Sequence, residues 1–271
     1  MMHIQAAQNF VPKLLNTSLK TTNERTLCGL TLELYTYLAL IASPTPYNNG
    51  KALERDTRNS FLPSWDTLRT YGTFGIIVSP MYQCLEVIPR VVNLCARRQT
   101  ERLFVECSSE SWEEFFQITD IIESIGFVDD LLGPSIDAEH RQSSSVSAIY
   151  RHALAIFLND AMWCGAIQRD ESQLSIIHQH ALSALELIPT LLDTDLSNVL
   201  LWPTVVIGSC LLDEGERGII RSALSTKEPI YVVLKTKTIL ENLWAENNPV
   251  YFGPYGLHKQ MLSNQANLCL G

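Results

Sequence analysis

The chain has 271 residues, 46% of them hydrophobic and 18% charged, with a formal net charge of −9. That balance excludes a disordered chain, and the length suffices for a substantial buried core. An acidic chain repels phosphate, so direct nucleic-acid binding is not expected, and the densest basic cluster, Arg97-Arg98 with Arg102, reads as a solvated helix end.

Apolar positions at Leu27, Leu30, Leu34, Tyr37, Leu38 and Ile41 predict a helix over 26–42, stopped by Ser43-Pro44-Thr45-Pro46. Residues 44–73, rich in Pro, Asn, Gly and charge, read as a long loop suited to a mobile surface segment. Ser79-Pro80 opens a helix over 79–98. Leu85, Ile88, Val92 and Cys95 lie on one face, Glu86, Arg90 and Arg97 on the other, and Pro89 predicts a kink. Trp112, Phe115, Phe116, Ile118, Ile122 and Ile125 predict a helix over 111–125, stopped at Gly126. Residues 129–145, with Gly133-Pro134 and Ser143-Ser144-Ser145, read as a second loop and an internal linker.

The strongest amphipathic stretch is 146–168, with Val146, Tyr150, Ala153, Phe157, Cys164 and Ile167 on one stripe. A helix over 172–192 follows, kinked near Pro189. The run 199–212 is apolar on every side, which predicts a helix buried all round. Asp213 and Glu216 then stand at capping-box spacing for a new helix carrying Ile219, Ile220, Ala223 and Leu224, and Asp213 can pair with Arg217 one turn on. A helix at 230–246 and a weak one from Leu257 complete the chain. Nothing alternates with period two and no repeat has a fixed period. The fold class is therefore all-α, an irregular multi-helix bundle, with a domain over 26–246, an extension over 1–25 and a weakly helical tail over 247–271.

Asp160 is the most informative single residue. At about 100° per residue it falls within the apolar stripe, between Phe157 and Cys164. A buried carboxylate is costly unless paired or hydrogen-bonded. A core ion pair, with an arginine such as Arg217, is the first reading; a polar anchor in a ligand pocket is the second, and a catalytic acid the third. Glu33 sits similarly among Leu30, Leu34 and Tyr37, and Trp202 reads as core in preference to a substrate platform. His178 and His180 point about 200° apart on a helix and cannot share an ion. His152 reads as a boundary residue. The acidic run Asp129-Asp130 with Asp137 and Glu139 reads as a solvated loop, not as a magnesium site. No catalytic residue, metal ligand or cofactor is expected.

Seven cysteines, Cys28, Cys84, Cys95, Cys107, Cys164, Cys210 and Cys269, are scattered without a C-x-x-C pair, which fits a reducing compartment. The first residues lack the layout of a secretory signal, and the 199–212 run is too short to span a bilayer. A protein that is neither secreted nor membrane-bound is expected.

Trp202-Pro203, then Gly208-x-Cys210, then Glu216-Arg217 leading into an aliphatic helix, resembles the C-terminal signature of the fungal-specific transcription factor regulatory domain. Leu32-Glu33-Leu34-Tyr35-Thr36-Tyr37-Leu38, the stretch from Phe74-Gly75 through Val78-Ser79-Pro80 to Arg98, and Ile149-Tyr150-Arg151-His152-Ala153-Leu154 resemble earlier segments of that domain, in order, over about 26–246. The resemblance implies an all-helical, non-catalytic regulatory module in the nucleus. Its expected partners are an apolar small-molecule effector, as in related sterol-responsive regulators, and a second copy or a full-length regulator. The six-cysteine zinc cluster and basic stretch that usually accompany such domains are not among these 271 residues, so the DNA-reading part is expected to be missing. The alternative is a small-molecule cyclase or isomerase on the same scaffold.

Overall fold

The structure is a computed structural model and describes residues 10–18, 21–42, 62–101, 107–125, 138–163, 171–191, 194–225, 231–246 and 251–263. Among these residues there are helices and turns but no strand, as the patterning predicts. In chain order the helices are α1 (Val11–Leu15), α2 (Thr22–Ala42), α3 (Trp65–Arg69), α4 (Tyr82–Glu101), α5 (Ser109–Ser124), α6 (Ala138–Trp163), α7 (Glu171–Leu187), α8 (Leu201–Gly208), α9 (Glu214–Ala223), α10 (Tyr231–Ala245) and α11 (Gly253–Ser263). Short 3-10 turns cover Ile188–Leu191 and Asp195–Leu200.

Local chemistry explains four of the helix starts. Thr21 and Glu24 reciprocally bond each other's backbone N–H ahead of α2. Ser64 and Ser108 each accept an N–H from three residues on. Asp213 and Glu216 complete the capping box of α9. Glu101 fastens the α4–α5 corner by accepting from Arg98, Ser108 and Ser111. Burial pushes its carboxyl pKa up, but these hydrogen bonds and the Arg98 charge outweigh that and hold it at about 2.

The molecule is organised around α6. From Ile149 to Met162 it is buried on nearly every side, and it packs on α4, α5, α7, α8 and α11. Helix α8 is also buried all round, from Trp202 to Gly208, as its sequence predicts. It is only eight residues long, because the 3-10 turn Asp195–Leu200 occupies the start of the apolar run.

Several boundaries differ from the sequence expectation. Residues 138–145 begin α6 instead of lying in a loop, and Ser145 Oγ donates back to the Arg141 carbonyl. The remainder of that loop, 129–137, with Asp129 and Asp130, lies outside the described residues, as do Gly126 and 43–61. Helix α4 runs through Pro89 and begins at Tyr82, two residues after Pro80. At Pro189 the α-helix has already given way to a 3-10 turn. The stretch read as a tail holds α11, whose Leu257 and Met261 are buried, and Val11 of the N-terminal extension packs with Cys28, Leu32, Tyr35 and Leu68.

The face of α2 is the main correction. Leu27 and Leu34 are 67% and 45% exposed, whereas Cys28, Gly29, Leu32, Glu33 and Thr36 are buried. Helix α2 is apolar on more than one side, so periodicity could not choose among faces. The choice falls to residues 71–78, which lie against Gly29 and Glu33. A Cβ on Gly29 would stand 2.3 Å from Thr73 Oγ1 and 2.6 Å from Tyr71 Cβ.

Candidate functional site

The four stretches that carry the family resemblance meet through long-range polar contacts. Glu33 Oε1 accepts the backbone N–H groups of Gly75, Ile77 and Val78 at 3.1, 2.9 and 3.0 Å. The first stretch thereby holds the second. Tyr150 Oη donates to the Val199 carbonyl at 2.6 Å, and Tyr37 Oη lies 3.3 Å from both that hydroxyl and that carbonyl. This cluster joins the first and third stretches to the residues that open the fourth. Burial pushes the Tyr37 hydroxyl up to about 12 and the Tyr150 hydroxyl well above its usual value, so both stay protonated.

The fourth stretch is a hub. Trp202 is buried and its ring lies 5.7 Å from that of Tyr150. The Gly208 carbonyl accepts Trp244 Nε1–H of α10 at 2.9 Å, and a Cβ on Gly208 would stand 3.0 Å from Leu240 Cδ1. The Ser209 carbonyl accepts the Gly253 N–H at 2.9 Å, which docks the start of α11. Glu216 Oε2 serves the capping box and also lies 3.3 Å from His178 Nε2 on α7. The arginine does not reach Asp160 or Asp213. Arg217 donates from Nε and Nη2 to the Leu211 carbonyl and lies over the Trp244 ring.

Asp160 is fully buried, and its Oδ2 accepts the Tyr255 N–H of α11 at 2.6 Å. The expected ion pair with Arg217 is replaced by a carboxylate-to-backbone bond. The physical reason is that helix α11, read from sequence as a weak tail, packs directly on α6. Glu33, Asp160, Trp202 and Arg217 do not form one pocket. Each ties a different pair of elements.

The cleft lies elsewhere. Helices α10 and α11 flank a half-open cleft of about 410 Å3, lined by Tyr231, Leu234, Ile239 and Met261 with Lys235, Thr238, Asn242 and Gln260 as the polar groups. Tyr231 is 76% exposed at its rim. The volume falls in the range of small-molecule sites, and the mix of apolar walls and a few polar groups is theirs. Sequence reading had no signal for it, because it depends on the packing of α11.

A second feature escaped the sequence. His152 of α6 and His180 of α7 face each other, with Nδ1 atoms 3.1 Å apart and rings 5.4 Å apart. Burial, then His180 and Arg151, lowers the His152 pKa to about 4. Burial and Arg151 lower that of His180, partly offset by Glu123. Burial lowers His258 to about 4. All three lie below the ordinary value, so the unfolded chain takes up protons first as the pH falls. The stability they support is whole above about pH 6.5 and is lost progressively towards about pH 4. Urea melts at about pH 7 and pH 5 are expected to show a lower midpoint at pH 5, and His180→Gln should flatten that difference.

Among the described residues there is no group of three His, Cys, Asp or Glu placed to hold a metal, and no helix long and apolar enough to cross a membrane. Burial pushes the Cys84 thiol up to about 12, which leaves it an inert core group.

The model of the fungal specific transcription factor domain matches residues 1–269. No curated protein and no solved structure matches the chain. The match extends beyond the 26–246 span of the resembling segments and takes in α1 and α11. A match over nearly the whole length, on an all-helical body whose signature residues form its central joints, gives this protein a regulatory role in transcription: the chain belongs to the fungal specific transcription factor domain family.

Proposed function

We propose that these residues form the effector-responsive regulatory domain of a fungal transcription factor, acting in the nucleus, with DNA reading supplied outside these 271 residues. The observation that carries the reading is the α10–α11 cleft of about 410 Å3 and what its walls are attached to. Helix α10 is bonded to the signature hub through Trp244 and Gly208. Helix α11 is bonded to the hub through Gly253 and Ser209, and to the central helix through Tyr255 and Asp160. An apolar effector wedged between the two helices therefore pulls on the hub from both sides. A ligand shifts such an equilibrium only by its differential affinity for the two arrangements. The net charge of −9 supports leaving DNA contact to another unit.

Thermal melts with a sterol and with a long-chain fatty acid test this. One of the two classes is expected to raise the melting temperature of the wild-type domain. Thr238→Trp, placed on the exposed lining of the cleft, should fold normally and lose that response. Stabilisation by neither class would refute the effector reading, and so would an undiminished response in Thr238→Trp.

A further inference from the structure

We propose that His152 and His180 form a two-histidine site for a borderline-soft divalent cation (zinc, nickel or copper) clamping helix α6 to helix α7. The two Nδ1 atoms are 3.1 Å apart on facing rings. Metal–imidazole bonds of about 2.0–2.1 Å place two nitrogen ligands roughly 3.3–3.4 Å apart in a tetrahedral shell. At right angles, in a square or octahedral shell, the same bonds place them about 2.8–3.0 Å apart. The observed spacing lies between these; the ion would sit to one side of the line joining the two nitrogens, so both rings turn towards it about their side-chain torsions.

The rest of the site agrees with this chemistry. Each histidine projects from a well-formed helix, α6 or α7, that packs closely on the other. Both residues are part-exposed; water would fill the remaining coordination positions. No third His, Cys, Asp or Glu among the described residues joins them. The ion would thus keep open positions, as metals with few protein ligands do. Both rings are neutral at pH 7, so no proton must be expelled. In the metal-free pair one Nδ1–H donates to the other Nδ1; on binding, that proton is carried on Nε2 of the same ring, and both Nδ1 lone pairs face the ion. The charges nearby are Arg151, whose Nη1 donates to the Ile125 carbonyl, and Glu123, which acts on His180. Arg151 opposes an added cation and Glu123 favours it. Two imidazole nitrogens suit a borderline-soft ion and not a hard, oxygen-seeking one.

The test uses the untagged full chain. Zinc, nickel and copper ions are each added to thermal melts, with magnesium as the comparison ion. At least one of the three is expected to raise the melting temperature by several degrees while magnesium does not. His152→Gln and His180→Gln, which keep polar side chains at both positions, should each abolish the shift, whereas His178→Gln should retain it. With copper, the electron paramagnetic resonance spectrum should report two imidazole nitrogens in the wild type and fewer in either variant. No shift with any of the three ions, or a shift that survives in both His152→Gln and His180→Gln, overturns the proposal.

Discussion

Glu33→Ala is expected to lower stability by about 2–4 kcal/mol, the cost of taking the acceptor from three backbone N–H donors of which one is buried. Glu33 is 1% exposed, and one of its oxygens accepts three backbone N–H groups, from Gly75, Ile77 and Val78. The deletion strips a common acceptor from all three donors: the buried Val78 N–H, whose orphaning costs about 1–3 kcal/mol, and the part-buried Gly75 and Ile77 N–H groups, which cost less because water can reach them. Glu33→Gln keeps a carbonyl oxygen at that place and is expected to cost distinctly less. Chemical denaturation measures the loss. Amide exchange locates it: the Gly75, Ile77 and Val78 amides should exchange faster in Glu33→Ala than other amides of comparable burial. If Glu33→Ala melts within about 0.5 kcal/mol of wild type, the range of an ordinary surface substitution, residues 71–78 are held by something else.

Trp202→Ala is expected to cost about 3–5 kcal/mol, the range for deleting a large aromatic side chain from a core. Trp202 is 2% exposed, packed on Tyr150 and followed along α8 by Pro203 to Gly208, all buried. The void would open beside the Tyr150–Val199 hydrogen bond, so loss of the near-ultraviolet aromatic signal should accompany the drop in midpoint. Trp202→Phe keeps the ring contact and much of the volume, and should cost less. These outcomes separate a core tryptophan from a binding platform. A platform residue, once removed, would leave the melt unchanged and weaken only ligand response. Trp202 does not line the α10–α11 cleft, so once Trp202→Phe restores the fold it should also restore effector response.

Both predictions concern residues that the sequence singled out, but for different reasons. Trp202 was legible because its run is apolar on every side, and a helix with no polar face has nowhere to go but inside. Glu33 was visible only as a carboxylate among leucines. What it does depends on backbone N–H groups more than forty residues away, and no periodicity encodes that distance. The same limit explains Asp160. Its burial follows from its place on the stripe, but one of its oxygens takes a backbone N–H of α11, where the sequence reading had put an arginine. Arg217 turns to the Leu211 carbonyl and the Trp244 ring, and Asp213 serves as the cap of α9.

By itself the sequence determined the helical class, the capping box at Asp213 and Glu216, the buried α8 and membership in the family, because each is written in local spacing or in residues adjacent along the chain. Only the tertiary structure decided which face of α2 turns inward, that α11 belongs to the core, that His152 meets His180, and where the cleft lies. These are set by contacts between segments far apart in sequence. Such contacts settle a choice that local patterns leave open whenever a helix offers more than one apolar face or a polar group can be satisfied by a distant backbone.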